Sequence, residues 1–349
     1  SKVYLTGLVR DKKGRKMSKQ LGNSPDALKL IDDYGADAVR VGLMLSSAAG
    51  NDLLFDETLC QQGKNFANKI WNAYRLIEGW EIKEDLQQPK VAAEALQWYA
   101  NHFEKTLAWV DENFEKYRIS DALMSIYKLL WDDFCSWLLE LVKPDYGQPI
   151  DQITYTDIIA LFEKNLRILH PFMPFLTEEL WHFIKERKTD EALTLSAWPQ
   201  TQNFDQKLIA DFELAQQIIV GIRNFRNEKN ISYKESISLY INTEAAYFSF
   251  ESSIIKLGGL TAINFTSPPE ELVGGSFRIN NLELFIPTDA AEDPEVEKEK
   301  LTSELKYTRG FLASVEKKLS NERFIANAPE KVIALERKKA ADAKEKILL

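Results

Sequence analysis

Between Asp56 and about Lys188, apolar residues return at three- and four-residue steps, and this periodicity constrains the fold of the 349-residue chain more than any other feature. Phe66, Ile70, Trp71 and Tyr74 form one such run; Leu123, Ile126, Tyr127, Leu130 and Trp131 form another. Spacing of this kind lays an apolar stripe along each helix, and the stripe must be buried against a neighbour. Breaks at "KEDLQQPK", "KPDYGQPID" and "HPFMPF" divide the stretch into four or five helices, which predicts an α-helical bundle over residues 56–204. Pro171 and Pro174 mark a helix boundary, and "LTEELW" restarts with Thr177 as the expected cap. Trp71, Trp109, Trp131 and Trp137 fall at helical spacing and are expected in the core.

The flanks read differently. In residues 1–55 a strand in "KVYLTGLV" leads into a basic loop and then a helix with Ser24 as N-cap and Pro25 at the first helical position. Gly35 breaks that helix before a second one from Ala36 to about Leu45. Beyond the bundle, "SAWPQTQNFD" is an irregular linker, and Lys207 to about Glu228 forms an amphipathic helix. The stretches "SISLYIN", "LTAINFT" and "GGSFRINNLELFIP" then alternate as strands do, with turns expected at Gly258–Gly259, Gly274–Gly275 and Asn280–Asn281. Residues 205–290 therefore read as a small α+β connector. In residues 291–349, Leu301, Leu305, Thr308, Leu312, Val315 and Leu319 make a heptad seam. "FIANAP" interrupts it, Pro329 starts a second helix, and Ile333, Ala340, Ala343 and Ile347 carry a weaker seam. An antiparallel coiled-coil hairpin follows from this pattern. The fold class is mainly α.

A chain of this length is expected to hold more than one domain. Cys60 and Cys135 stand far apart without a C-x-x-C pairing, which points to a reducing, cytoplasmic compartment and away from structural zinc. No apolar run approaches the ~20 residues of a membrane span, so no membrane partner is expected. The chain begins in a strand without an initiator Met and reads as a piece of a longer protein. The formal net charge is -9, yet Glu295–Leu349 nets +3 and the remainder -12.

Positive charge is most concentrated at the start. From Arg10 to Lys19 there are six basic residues and one acidic one. In "GRKMSKQLGNSPD" glycines flank Lys16, Met17, Ser18 and Lys19, so the loop can swing while its ammonium groups neutralise polyphosphate charge. The segment resembles the KMSKS signature of class I aminoacyl-tRNA synthetases, and "GLVRDxxGRKMSKxLGN" resembles their valyl, isoleucyl and leucyl branch. Gln20 departs from the signature, where a final Ser is usual. "NFANKIWNAYR" resembles the first helix of that branch's anticodon-binding bundle, and "HPFMPFLTEELW" a later stretch of it. "LSNERFIANAP" is similar to the turn of the tRNA-binding arm in the valyl family.

The resemblance implies the end of a Rossmann catalytic domain in residues 1–55, ATP with Mg2+, valine and tRNA(Val) as ligands of the full-length enzyme, and a monomer. It assigns ATP phosphate contact to Lys19, with a weaker share for Lys16, as catalytic residues, and an ATP-binding place to Met17 and Ser18. The isoleucyl or leucyl branch is the alternative; the missing zinc cysteines and the arm favour the valyl one. A stand-alone helical RNA-binding protein is the alternative of another class. The family's HIGH element needs two histidines two residues apart, and His102, His170 and His182 offer no such pair. The chain alone is therefore expected to be inactive.

Candidate RNA contacts are Lys69 and Arg75 on the first bundle helix, Arg223, Arg226 and Lys229 at three-residue steps, and Lys317, Lys318, Arg323, Arg337, Lys338 and Lys339 beside the arm's seam. His170 and His182 read as structural. Asp32, Asp33, Asp132 and Asp133 are adjacent pairs on helices that point in different directions, so no metal site is expected.

Overall fold

The computed structural model describes residues 7–46, 51–243, 249–288, 294–321 and 330–348. They divide into two compact units, Ser1–Pro268 with Ser276–Phe285, and Pro269–Gly275 with Ile286–Leu349.

In the first unit β1 (Val9–Arg10) pairs in parallel with β2 (Leu53–Leu54). Residues 2–6 of the expected opening strand lie outside the described residues. Between the two strands come α1 (Ala27–Tyr34) and α2 (Ala36–Ser46), separated at Gly35, whose φ of 93° only glycine adopts freely. The cap of α1 is Asp26 and not Ser24: its carboxylate accepts from the Leu28 N–H at 3.0 Å. A carboxylate there also opposes the positive end of the helix dipole, which a hydroxyl cannot do.

The bundle comprises α3 (Glu57–Glu78), α4 (Lys90–Glu115), α5 (Ile119–Lys128), a π-helical stretch Leu129–Leu138, α6 (Leu139–Val142), α7 (Gln152–Leu169) and α8 (Pro174–Ile184). Phe66, Trp98, Tyr99, Phe103, Phe134 and Phe162 are fully buried at its centre. Trp71, Trp131 and Trp137 are half-buried, but Trp109 is 51% exposed, against expectation. On α4 the buried face runs through Phe103, Leu107 and Val110, and a residue two past Leu107 points away from it. Two of the chain breaks contribute short strands, β3 (Ile82–Lys83) and β4 (Ile150–Asp151), paired in parallel. Thr177 does not cap α8, because Pro174 already occupies the first helical position. Thr177 is buried inside the helix, and its hydroxyl donates to the Met173 carbonyl at 2.7 Å.

After the irregular linker, α9 (Gln206–Glu228) and α10 (Glu251–Gly258) pack with a four-stranded sheet in the order β6-β5-β8-β7. Its strands are β5 (Ile237–Ile241), β6 (Leu260–Asn264), β7 (Gly274–Ile279) and β8 (Leu282–Pro287). β5 is parallel to β6 and antiparallel to β8. Gly259 ends α10 at φ 65°, and Asn280 turns the β7–β8 hairpin at φ 53°. Gly274–Gly275 is strand, not turn: the pair opens β7.

In the second unit, α11 (Pro294–Leu319) packs with α12 (Glu330–Leu348). Thr308 and Val315 on α11 and Ala340 and Ala343 on α12 are buried, and Lys344 pairs with Glu316 at 2.8 Å. The intervening "FIANAP", Pro329 and Arg323 lie outside the described residues.

Candidate functional site

The lysine loop is built on a frame that leaves its ammonium groups outside. Asp11, buried at the loop's base, accepts from the backbone N–H of Lys13 (3.0 Å) and Arg15 (2.8 Å), from Arg15 Nε (2.8 Å) and from Asn23 Nδ2 (3.0 Å). The hydrogen bond from Asn23, with those from Arg15 and Lys13, holds the Asp11 carboxyl well below the usual carboxylate range. Asn23 closes the other side: its amide donates to the Lys16 carbonyl at 3.2 Å and its Oδ1 accepts from the Ser18 N–H at 2.9 Å. Arg10 bridges Lys16 through the backbone and pairs with Asp52. Met17, half-buried, packs against the cluster of Leu30, Phe55 and Cys60.

Ser18 caps a 3-10 turn, Lys19–Leu21, by accepting the Gln20 N–H at 3.2 Å. That contact uses the backbone of Gln20, so any side chain at position 20 permits it. Gly22, at φ 60°, ends the turn. Lys16 and Lys19 are exposed, and among the described residues no carboxylate lies within 4.0 Å of either. Asp11, Asn23 and the ring of bonds around them escaped the sequence reading, although "LGN" was in view.

One face of α2 meets the bundle. Asp37, buried, accepts from the Leu176 N–H at 2.7 Å and the Phe175 N–H at 3.3 Å in the first turn of α8. Arg40 donates to the carbonyls of Pro171 (3.0 Å) and Phe172 (3.3 Å) just before that helix. Burial pushes the Asp37 carboxyl up, opposed by the two amides and Arg40. His170 touches the Thr177 hydroxyl at 2.7 Å, and burial pushes its imidazole down, opposed by Glu178 and Asp37.

The remaining basic candidates separate. Arg75 is exposed, while Lys69 is half-buried with its ammonium 5.2 Å from the Trp131 ring centre. Arg223 is half-buried, donates to the Leu257 carbonyl at 3.2 Å and lies over Trp137. Arg226 corrects its assignment as an RNA contact. It is 3% exposed and donates to the carbonyls of Gly258 (3.1 Å), Ser232 (2.8 Å), Glu235 (3.1 Å) and Gly259 (2.6 Å). The fold itself takes four of the five N–H donors of this guanidinium. Lys317, Lys318, Arg337 and Lys338 are exposed, and Lys339 pairs with Glu336 at 2.7 Å.

Among the described residues, no three His, Cys, Asp or Glu side chains are placed to hold a metal ion, and no helix is long and apolar enough to cross a membrane.

Three family models match the chain in order: class I tRNA synthetases for I, L, M and V over residues 1–56, the anticodon-binding domain of tRNA ligase over 97–241, and the valyl tRNA synthetase tRNA binding arm over 293–347. The chain is 56% identical over 348 residues to the Valine--tRNA ligase of Christiangramia forsetii and 50% identical over 347 to that of Parabacteroides distasonis, covering 99% of this chain and 39% of each relative. A more distant relative, the Valine--tRNA ligase of Clostridium perfringens, is 35% identical over 360 residues, 98% of this chain and 40% of its own. The chain thus spans about two fifths of the length of the curated relatives it matches.

Proposed function

We propose that this chain, which belongs to the valine--tRNA ligase family, is the part of such an enzyme that presents the lysine loop to ATP and holds tRNA(Val). The observation that carries the reading is the framed loop lying inside the first of three family matches that follow one another along the chain. Residues 1–55 would close a Rossmann-type catalytic domain. Residues 56–204 would be the anticodon-binding bundle, 205–290 the connector, and 291–349 an antiparallel coiled-coil arm along tRNA.

The full-length protein would adenylate valine with ATP and transfer it to tRNA. Magnesium would arrive on the triphosphate and offset part of its charge. The donor set at the loop fits a polyphosphate: two exposed, unpaired ammonium groups stand on a hydrogen-bonded frame. Lys19, with Lys16, would stabilise negative charge as it develops on the departing phosphates, with no covalent bond to the enzyme. Met17 anchors the loop between them. Arg75 on α3 and Lys317, Lys318, Arg337 and Lys338 on the arm helices offer exposed cations to the RNA backbone.

Titrating the chain with valine tRNA, isoleucine tRNA and an unrelated tRNA at two salt concentrations tests the reading. Preferred binding of valine tRNA, weakening with salt as phosphate contacts require, is the expected result. Equal and weak binding to all three contradicts it.

A further inference from the structure

The helix that supports the lysine loop also caps a helix of the bundle, and the cap is supplied from outside that helix. The first turn of α8 has no side-chain cap of its own: Met173 occupies the cap position without a capping hydrogen bond. A helix start leaves N–H groups unsatisfied, and buried ones must find an acceptor. Here the acceptor is Asp37 of α2, which takes both the Phe175 and Leu176 N–H groups. One turn along α2, Arg40 takes the carbonyls of Pro171 and Phe172 on the approach to α8. A carboxylate on donors and a guanidinium on acceptors grip the same turn, so neither sliding nor rotation of α8 preserves both sets of bonds.

The two faces of α2 divide the work. Asp37 and Arg40, at helical spacing, face the bundle, and further along the Met44 carbonyl accepts from the Ser120 hydroxyl at 2.8 Å. Val39 and Leu43, on another face, pack on the cluster that holds Met17 of the loop. At its far end α8 carries Phe183, stacked on Tyr74 with centres 6.1 Å apart and edge-on to Trp71 at 5.8 Å, beside exposed Arg75. The α2–α3 crossing is close as well: a Cβ on Gly42 would fall 2.5 Å from the Leu59 carbonyl oxygen, and one on Gly63 2.2 Å from that of Ala38.

We propose that Asp37 and Arg40 are positioning residues that fix the register between the lysine loop and α3, whose Arg75 face α8 packs beside, so that tRNA held on the bundle meets the activated amino acid correctly. The proposal rests on the functional reading above and adds a role to residues that touch neither ATP nor RNA in it. A register clamp acts on the step that needs both halves at once. Of the parts in this chain, adenylation draws on the loop alone, and tRNA affinity on the bundle and arm.

The experiment uses the full-length enzyme with Arg40→Ala, Arg40→Lys and Asp37→Asn. It measures valine-dependent ATP–pyrophosphate exchange, tRNA(Val) affinity, and kcat and KM for aminoacylation. In Arg40→Ala and Asp37→Asn the aminoacylation kcat should fall by up to about 10²-fold, the cost of a misplacement of about 1 Å, with exchange rate and tRNA affinity within about twofold of wild type. Arg40→Lys, which reaches one carbonyl, should recover part of that loss. Parallel loss of exchange and transfer would overturn the proposal, because the contacts would then merely stabilise the fold. Unchanged transfer in all three variants would overturn it alone. A wild-type enzyme without valine-dependent exchange would overturn the functional reading and the clamp together.

Discussion

"GRKMSK" near the chain start and "IRNFRNEK" in α9 are both short basic runs, and they end in opposite conditions. In the first, carboxylate and amide groups of the loop itself, Asp11 and Asn23, satisfy the backbone and leave Lys16 and Lys19 in solvent. In the second, Arg226 meets four carbonyls left open by the end of α10 and the chain leading to β5, and its charge is turned inward. A basic residue is available to a polyanion only when the surrounding backbone has no use for it. Arg226 lies in a place where backbone acceptors converge; Lys19 lies where a neighbour's side chain has already closed the turn.

The comparison is broken most forcefully at Arg226. Arg226→Ala should cost about 3 kcal/mol or more of stability, since each buried carbonyl it orphans costs about 1–3 kcal/mol. Chemical denaturation should show this, while Lys16→Ala and Lys19→Ala should stay within about 0.5 kcal/mol of wild type. If Arg226→Ala unfolds like wild type but loses tRNA affinity, the two basic runs are alike after all.

A smaller effect is expected from the loop's frame. Asn23→Ala deletes three hydrogen bonds that shape the turn around Lys16 and Ser18. It should lower the adenylation rate of the full-length enzyme by the equivalent of about 1–3 kcal/mol, with the melting point nearly unchanged. An unaltered rate would mean that the lysines need no frame.

The smallest effect concerns pH. Burial holds the His170 imidazole below its ordinary 6.5, so the folded state binds its proton less readily than the unfolded chain does. The stability this provides is complete above the ordinary value and is lost as pH falls below it. As pH falls from about 7 to 5, wild type should lose more stability than His170→Gln. Parallel pH profiles for the two proteins would remove His170 from the account.

Much of the helical architecture was legible because it is local. The three- and four-residue steps through Phe66, Ile70 and Tyr74 correspond to α3, and the break at Gly35 falls where a left-handed φ is required. The misreadings come from partners distant in sequence. Thr177 looked like a cap, but the acceptors for the α8 amides come from Asp37, about 140 positions upstream. Gly274 and Gly275 looked like a turn until the neighbouring strand of the sheet claimed them. Trp109 shows the limit of periodicity itself: helical spacing identifies faces, and which face meets the core is decided by Phe103, Leu107 and Val110 together. At the site, the motif revealed Lys16 and Lys19, but their exposure depends on Asp11 and Asn23, twelve positions apart and joined only in the folded loop.

The most direct test of the central claim is valine-dependent ATP–pyrophosphate exchange by the full-length protein carrying Lys19→Ala, measured beside wild type and beside its own melting curve. A rate loss of about 10²–10³-fold, the usual cost of a preorganised electrostatic contact, with an unchanged melting point, is the predicted result. A wild-type exchange rate in the variant would show that the exposed ammonium of Lys19 takes no part in the chemistry.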